Sequence, residues 1–331
     1  MVTTASLQSS IPVGERMSRS IDDLLAAGRL RRAQAARAEM AEDFFGGWEA
    51  ADAALFAKFA WDAKPMAGKI TDFMGIRTST SFHPWAIHFD NQVLGDLPIP
   101  DDSLRAEAIE YYATFHAFER APSSQFTMVE VGASYAPWTC IGAVLAKRFG
   151  RGFRLVAVEA SSFLFDLIPI HLGENGLDLS DFTLVNGAVG AQSGTLYFPK
   201  VTSPGENGGQ AAEALLDTDY VGRAVEHEKV VAFPLVDVLP DTVVDLIHMD
   251  VQGVEYGVIE AAIEILNKRV RSIFVGTHSR YIEGQLLALL HREGWRLERE
   301  RPTRFAYHSE RSDVVGWTSR DGGQYWINER L

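Results

Sequence analysis

From residue 125 onward the sequence predicts an α/β fold, with a mostly parallel sheet covered by helices on both faces. Short apolar runs recur at Phe126–Val131, Phe153–Val158, Phe182–Asn186, Val230–Leu235, Val243–Met249, Ser272–Gly276 and Trp295–Glu300. Helical stretches fall between them at Pro137–Phe149, Ser162–Leu172, Glu255–Leu266 and Ile282–Glu293. Such alternation implies parallel crossovers, and ligands in this architecture bind beyond the carboxyl ends of the strands.

The elements follow from local pattern. The first helix of this region has Pro137 in its first turn and Trp138, Ile141, Leu145 and Phe149 along one face, which suits a helix buried on one side. A Gly- and acid-rich segment, Val201 to Glu228, reads as a loop or insertion. The tail carries a turn at Asp321-Gly322-Gly323 before a strand-like Gln324–Asn328. The texture is different before residue 120. Residues 15–62 are rich in Ala, Leu, Arg and Glu, with Ile21, Leu24, Leu25 and Leu30 at helical spacing. Residues 65–102 are irregular and aromatic, with Phe73, Phe82, Trp85 and Phe89, and Ser103–Glu119 again reads as a helix. Residues 1–120 are therefore expected to form a helical accessory or cap region, and 121–331 the ligand-binding domain. Core is the expected fate of the aromatics, and a solvated helix face that of Arg29, Arg31, Arg32 and Arg37.

Composition narrows the function. The 331 residues hold 31 Lys plus Arg against 44 Asp plus Glu, a formal charge of −13, which argues against a nucleic-acid or anionic-membrane partner. A single cysteine, Cys140, rules out an internal disulfide framework and a cysteine-based zinc cluster. No basic start precedes an apolar core at the N-terminus, and the longest uncharged stretch, Val131–Ala146, is 16 residues and broken by Gly, Ser and Pro. That is too short for a membrane span, so the expectation is a cytoplasmic protein without one.

Chemistry is sought at the strand ends. The first strand runs through Glu130, Gly132, Ala133, Ser134 and Tyr135 into the helix at Pro137. A glycine there lets the backbone approach a ligand at a helix N-terminus, although a tight structural turn would look the same. A dinucleotide fingerprint would need glycines where Ser134 and Ala136 stand. The second strand ends at Glu159, placed to accept the hydroxyls of a ribose, 27 residues after Gly132. In Leu246–Val251, alternation puts His248 and Asp250 on one side and Ile247 and Met249 on the other. His278 ends the next strand, so two histidines and a carboxylate converge at the switch point, as a base with an orienting partner or as a metal site.

These segments, EVGASYAPW, VAVEASSFLFDLIPIHLGENGL, LVNGAVG, VDLIHMDVQGVEYGVIEAA and the histidine of VGTHS, recur in an order that resembles the FkbM-type class I S-adenosylmethionine-dependent methyltransferases. The resemblance covers about residues 125 to 300, and DFMGIRT at Asp72–Thr78 is similar to an accessory region of such proteins. It implies a Rossmann-like, seven-stranded sheet with a reversed C-terminal hairpin, and S-adenosyl-L-methionine as cofactor. Glu130 and Gly132 to Tyr135 would line its methionine part, Glu159 would hold the ribose, Ala160 and Ser161 would flank the adenine, and Asn186, Gly187 and Ala188 would close over it. Asp250 would face the methionine amino group or the reaction centre. Ser134 and Ala136 depart from the commoner glycines, His248 from lysine, and Gln252 from glutamate.

The implied reaction is O-methylation of a sugar hydroxyl, on a glycan or glycosylated natural product, by in-line methyl transfer. His278 or His248 is expected as base with Asp250 orienting it, and a divalent ion such as magnesium on Asp250, His248 and His278 is the metal-assisted variant. The expected partner is a small-molecule or glycan acceptor, and a homo-oligomer is compatible with the sequence. Three rivals remain at this level: a serine hydrolase using Ser134, Asp250 and His278, a nicotinamide enzyme using Glu159, and a non-catalytic glycan-binding or assembly protein on the same fold.

Overall fold

The computed structural model describes residues 45–331 apart from 84–85, 96–106, 204–208, 216, 219–223 and 312–313. The helical pattern at Ile21–Leu30, the arginine cluster Arg29–Arg37 and Trp85 lie outside the described residues. Residues 44–331 form one compact unit.

Its centre is a seven-stranded sheet. In chain order the strands are β1 (Gln125–Val131), β2 (Gly152–Glu159), β3 (Phe182–Asn186), β4 (Leu246–Met249), β5 (Ser272–Thr277), β6 (Trp295–Arg301) and β7 (Gly322–Asn328). Their spatial order is β6-β7-β5-β4-β1-β2-β3. Strands β1 to β5 are parallel where they pair, while β7 runs antiparallel to both β5 and β6. This is the Rossmann-like α/β sheet of class I methyltransferases, with the reversed C-terminal hairpin. The chain order turns back between β1 and β4, which opens a crevice beyond their carboxyl ends.

Strand residues alternate between two core layers. Phe126, Met128, Leu155, Ala157, Phe274 and Tyr325 face one layer, with helices α1 (Ala108–Arg120) and α2 (Pro137–Arg148). Val129, Val131, Val156, Val158, Ile247, Met249 and Trp326 face the other, with α4 (Glu255–Arg269) and α5 (Arg280–Arg292). Coverage of both faces explains why these strands read as unbroken apolar runs. The expected helix Ser162–Leu172 is split into Ser162–Phe165 and α3 (Ile168–Glu174), with Pro169 in the first turn of α3, where its missing N–H costs nothing.

One strand lies elsewhere than expected. The run read as Val230–Leu235 belongs to His227–Pro234, which pairs with Gly194–Pro199 and Ala188–Gly190 in a separate three-stranded sheet. Val231 stays exposed there while Val230 and Ala232 are buried. One-sided burial of this kind suits a side sheet rather than a doubly covered one.

The described residues before 120 share the first core layer. Phe115 of α1 is fully buried, with ring centroids 4.7 Å from Phe59 and 5.1 Å from Phe56. Phe73 stacks on Phe56, and Phe82 sits 5.4 Å from Tyr135. Asp72 closes the hairpin Lys69–Thr71/Arg77–Ser79, its Oδ1 accepting the N–H groups of Met74 (2.9 Å) and Ile76 (2.8 Å). The DFMGIRT segment is thus a turn stabilised by its own aspartate.

The β1–α2 turn is strained. Gly132, Ser134 and Ala136 all take left-handed backbone, with φ of 78°, 49° and 62°. Gly132 has no alternative, because a Cβ there would lie 1.8 Å from the carbonyl oxygen of Asp250. Ser134 and Ala136 hold a conformation that disfavours side chains. Phe115→Ala is expected to cost about 3–5 kcal/mol through the cavity it leaves, read by urea unfolding. Ser134→Gly is expected to raise stability by about 1 kcal/mol, because it relieves φ strain and removes a hydroxyl that is buried without a hydrogen-bond partner. A loss of stability in that variant would contradict the strain account.

Candidate active site

The crevice between β1 and β4 holds a cleft of about 600 Å³, within the size range of small-molecule sites. Of the cofactor residues expected from sequence, Glu130, Gly132, Ala133, Ser134, Tyr135, Glu159, Ala160, Gly187, Ala188 and Asp250 line it. Ser161 and Asn186 stand behind the lining. Ser161 Oγ caps the short helix by accepting the Leu164 N–H (3.3 Å), and Asn186 Nδ2 donates to the Glu159 carbonyl (3.0 Å).

Glu159 ends β2, and its carboxylate takes the N–H of Ser134 at 2.7 Å and of Ser161 at 2.8 Å. Burial pushes its pKa up to about 7 against these donors. Next to it, Ala160, Leu164, Ala188, Val189 and Phe198 make an apolar slot. Glu130 anchors the start of α2, accepting from Trp138 N (3.2 Å), Thr139 N (2.7 Å) and Thr139 Oγ1 (2.8 Å). A carboxylate suits that end of a helix, yet burial again raises its pKa to about 7, against the opposing influence of His248.

The two histidines are in different environments. His248 lies on the β4 face beside Glu130 and Phe274, stacked between Trp138 (4.9 Å) and Phe274 (4.8 Å). Burial lowers its pKa to about 4, so the ring is neutral. Its Nε2 lies 3.2 Å from Glu110 Oε1. The pKa of Glu110 is in turn held well above the carboxylate range by burial and by the charge of Asp250. His278 lies between two acids. Its Nδ1 bonds Glu255 Oε1, and its Nε2 is 3.1 Å from Asp250 Oδ1. Asp321 is 4.0 Å away. Burial would discharge this ring, but the carboxylates of Glu255 and Asp250 outweigh it and hold the pKa well above the usual histidine value.

The structure therefore brings Asp250 and His278 together, while His248, which lines the same cleft, has its Nε2 against Glu110. The metal set of Asp250, His248 and His278 is not assembled, because the His248 Nε2 is engaged with Glu110. Among the described residues no group of three or more His, Cys, Asp or Glu side chains is arranged to hold a metal ion. Nor does the Ser134–Asp250–His278 hydrolase arrangement form, since both nitrogens of His278 are taken by carboxylates.

Several cleft residues escaped the sequence reading. Glu107 and Glu110 enter from α1, and Arg301, Arg320 and Asp321 from the C-terminal strands and their connection. Arg301 pairs with Glu107. Glu110 had a local signal, since Glu107 and Glu110 form a reciprocal capping box at the start of α1. That signal reports a helix start and says nothing of a site.

Residues 130–297, just over half of the chain, match the family described as the methyltransferase FkbM domain. A protein of Jannaschia sp. (strain CCS1) named as a methyltransferase is 29% identical over 246 residues, covering 73% of this chain and 88% of that protein. Among solved structures, methyltransferase FkbM from Methylobacillus flagellatus KT is 15% identical with a TM-score of 0.38, over 62% of this chain. The present chain spans only 44% of that protein's length. Precorrin-6y C5,15-methyltransferase from Geobacter metallireducens GS-15 is 12% identical with a TM-score of 0.36, over 67% of this chain and 88% of its own. No helix among the described residues is long and apolar enough to cross a membrane. By the match over its central domain, this chain belongs to the methyltransferase FkbM family.

Proposed function

We propose that the protein transfers a methyl group from S-adenosylmethionine to a hydroxyl of a sugar, on a glycan or a glycosylated natural product. The observation that carries this reading is one cleft with Glu159 at the β2 end and the Asp250–His278 pair at the β4 end. The residues suit the cofactor: Glu159 to accept ribose hydroxyls, the apolar slot beside it for adenine, and the Gly132–Tyr135 turn for the methionine part. When bound, S-adenosylmethionine supplies a methyl group made electrophilic by its sulfonium.

The chain's own part is alignment, water exclusion and proton removal. Glu107, Glu110, Arg301, Arg320 and Asp321 give one side of the cleft several hydrogen-bonding groups, which suits a polyhydroxylated acceptor. Glu107 and Glu110 would form part of the acceptor wall. Asp250 lies 3.1 Å from His278 Nε2 through a buried Oδ1, and its side chain keeps 43% of its exposure, so it borders both the ring and the cleft. As the acceptor oxygen bonds the methyl carbon and the carbon–sulfur bond breaks, the hydroxyl proton passes to Asp250 and from there to solvent.

Calorimetric titration with S-adenosylhomocysteine tests the cofactor assignment. Glu159→Ala is expected to weaken binding about 10- to 100-fold, the size of a lost charged hydrogen bond. No binding by the unaltered protein would sink the reading. Because a carboxylate accepts more hydrogen bonds than its acid, wild-type affinity is expected to fall severalfold from pH 8 to 6, across the Glu159 pKa of about 7. Glu159→Gln should flatten that dependence. With labelled S-adenosylmethionine and a panel of methyl glycosides, Asp250→Asn is expected to lower turnover about 10²- to 10⁴-fold while S-adenosylhomocysteine still binds.

A further inference from the structure

His171 stands in the middle of α3 and is fully buried. It does not line the cleft, but it touches a residue that does. Its Nδ1 lies 3.1 Å from the carbonyl oxygen of Tyr135, and the two rings meet edge to face at 5.0 Å. A carbonyl only accepts, so the nitrogen facing it must carry a proton. Burial lowers the pKa of the ring to about 4; the Tyr135 and Ala136 carbonyls oppose this, and Lys69 and His83 add to it. The ring is therefore neutral, with its one proton on Nδ1.

The Tyr135 carbonyl needs such a donor. Tyr135 is buried and sits between Ser134 and Ala136, both in left-handed backbone (φ 49° and 62°). The Thr139 N–H, four residues on, would be its ordinary helical donor, but that group goes to Glu130 at 2.7 Å. A buried carbonyl without a donor is costly, and strained neighbours persist only where the surroundings hold them. We propose that His171 is a positioning residue for the cofactor, whose Nδ1–H holds the Tyr135 carbonyl and so sets the Gly132–Tyr135 turn against the methionine part. This rests on the methyl-transfer reading only in placing the cofactor at that turn.

His171 is itself held by the hairpin Lys69–Thr71/Arg77–Ser79. Asn175, the C-cap of α3, imitates a strand partner for Arg77. Its Oδ1 accepts the Arg77 N–H and its Nδ2 donates to the Arg77 carbonyl, both at 2.8 Å. The same Nδ2 donates to the His171 carbonyl at 2.9 Å. Lys69, on the facing strand, pairs with Glu174. Phe82 packs against the rings of Tyr135 (5.4 Å) and His171 (6.2 Å). Hairpin, α3 and cofactor turn thus form one chain of contacts, through which the hairpin bears on the cofactor site without lining the cleft.

The test separates the donor from the bulk of the ring. Asparagine places an amide N–H near the position of Nδ1, glutamine reaches that of Nε2, and leucine fills the space without a donor. In calorimetric titration with S-adenosylhomocysteine, His171→Asn is expected to stay within about threefold of the unaltered protein. His171→Leu and His171→Gln should bind about 10-fold more weakly, the size of a buried carbonyl left unpaired. A packing role alone would put His171→Leu nearest the unaltered protein, and that order would overturn the proposal. A second measurement needs no variant to bind: the imidazole ¹H–¹⁵N correlation of His171 in ¹⁵N-histidine-labelled protein, assigned by its absence in His171→Asn. Nδ1 is expected to be protonated and Nε2 bare from about pH 6 to 9, well above the His171 pKa of about 4. A proton on Nε2, or titration within that range, would also overturn the proposal. If Nδ1 carries the proton but the unaltered protein does not bind S-adenosylhomocysteine, it is the methyl-transfer reading that falls.

Discussion

Everything in the cleft depends on how closely two strand ends approach. Gly132 leaves β1 against the backbone of Asp250 leaving β4, and the gap between them excludes even a methyl group. The Asp250 N–H bonds back to the Val131 carbonyl at 2.9 Å, and the N–H groups of Gly132 and Ala133 both reach the Val158 carbonyl at 3.0 Å. Three strand ends are thereby pinned by backbone alone. Side chains on the turns after them, Ser134, Glu159 and Asp250, then face one another across a space of fixed width. Strain at Ser134 and Ala136 is a consequence of this constraint, since the turn must fold back within a few residues to start α2.

The second theme is buried charge. Burial of a carboxylate is costly unless it is neutralised, paired or hydrogen-bonded, and the cleft uses all three. Glu130 and Glu159 each accept several N–H donors and still have pKa values near 7. Glu110 and His248 face each other under conditions that discharge both. Glu255 and Asp250 instead flank His278 and hold its pKa well above the usual histidine value. Two histidines 30 residues apart in sequence therefore have opposite characters: one a neutral, aromatic-stacked part of the floor, the other a cation between acids.

Much of this was legible before the structure. The alternation of apolar runs and helical stretches is enough for the parallel sheet, because doubly covered strands cannot tolerate polar interruptions. Gly132 and Glu159 could be singled out since each sits where a βα turn must open toward a ligand. The strand near Val230 was misplaced because a six-residue, mostly apolar run does not report which sheet it joins. Glu107, Glu110 and Arg301 were not seen as site residues, since each reaches the cleft from an element whose own sequence reports only helix or strand.

The sequence by itself determined the order of strands and helices, the side of β4 on which His248 projects, and the acids at the ends of β1, β2 and β4. Periodicity and turn chemistry act over a few residues, and that range suffices for such features. Only the tertiary structure decided what each titratable group does. His278 meets Glu255 across 23 positions, and His248 meets Glu110 across 138. Protonation is set by burial and by neighbours within a few ångströms, and those neighbours are chosen when helices dock on the sheet.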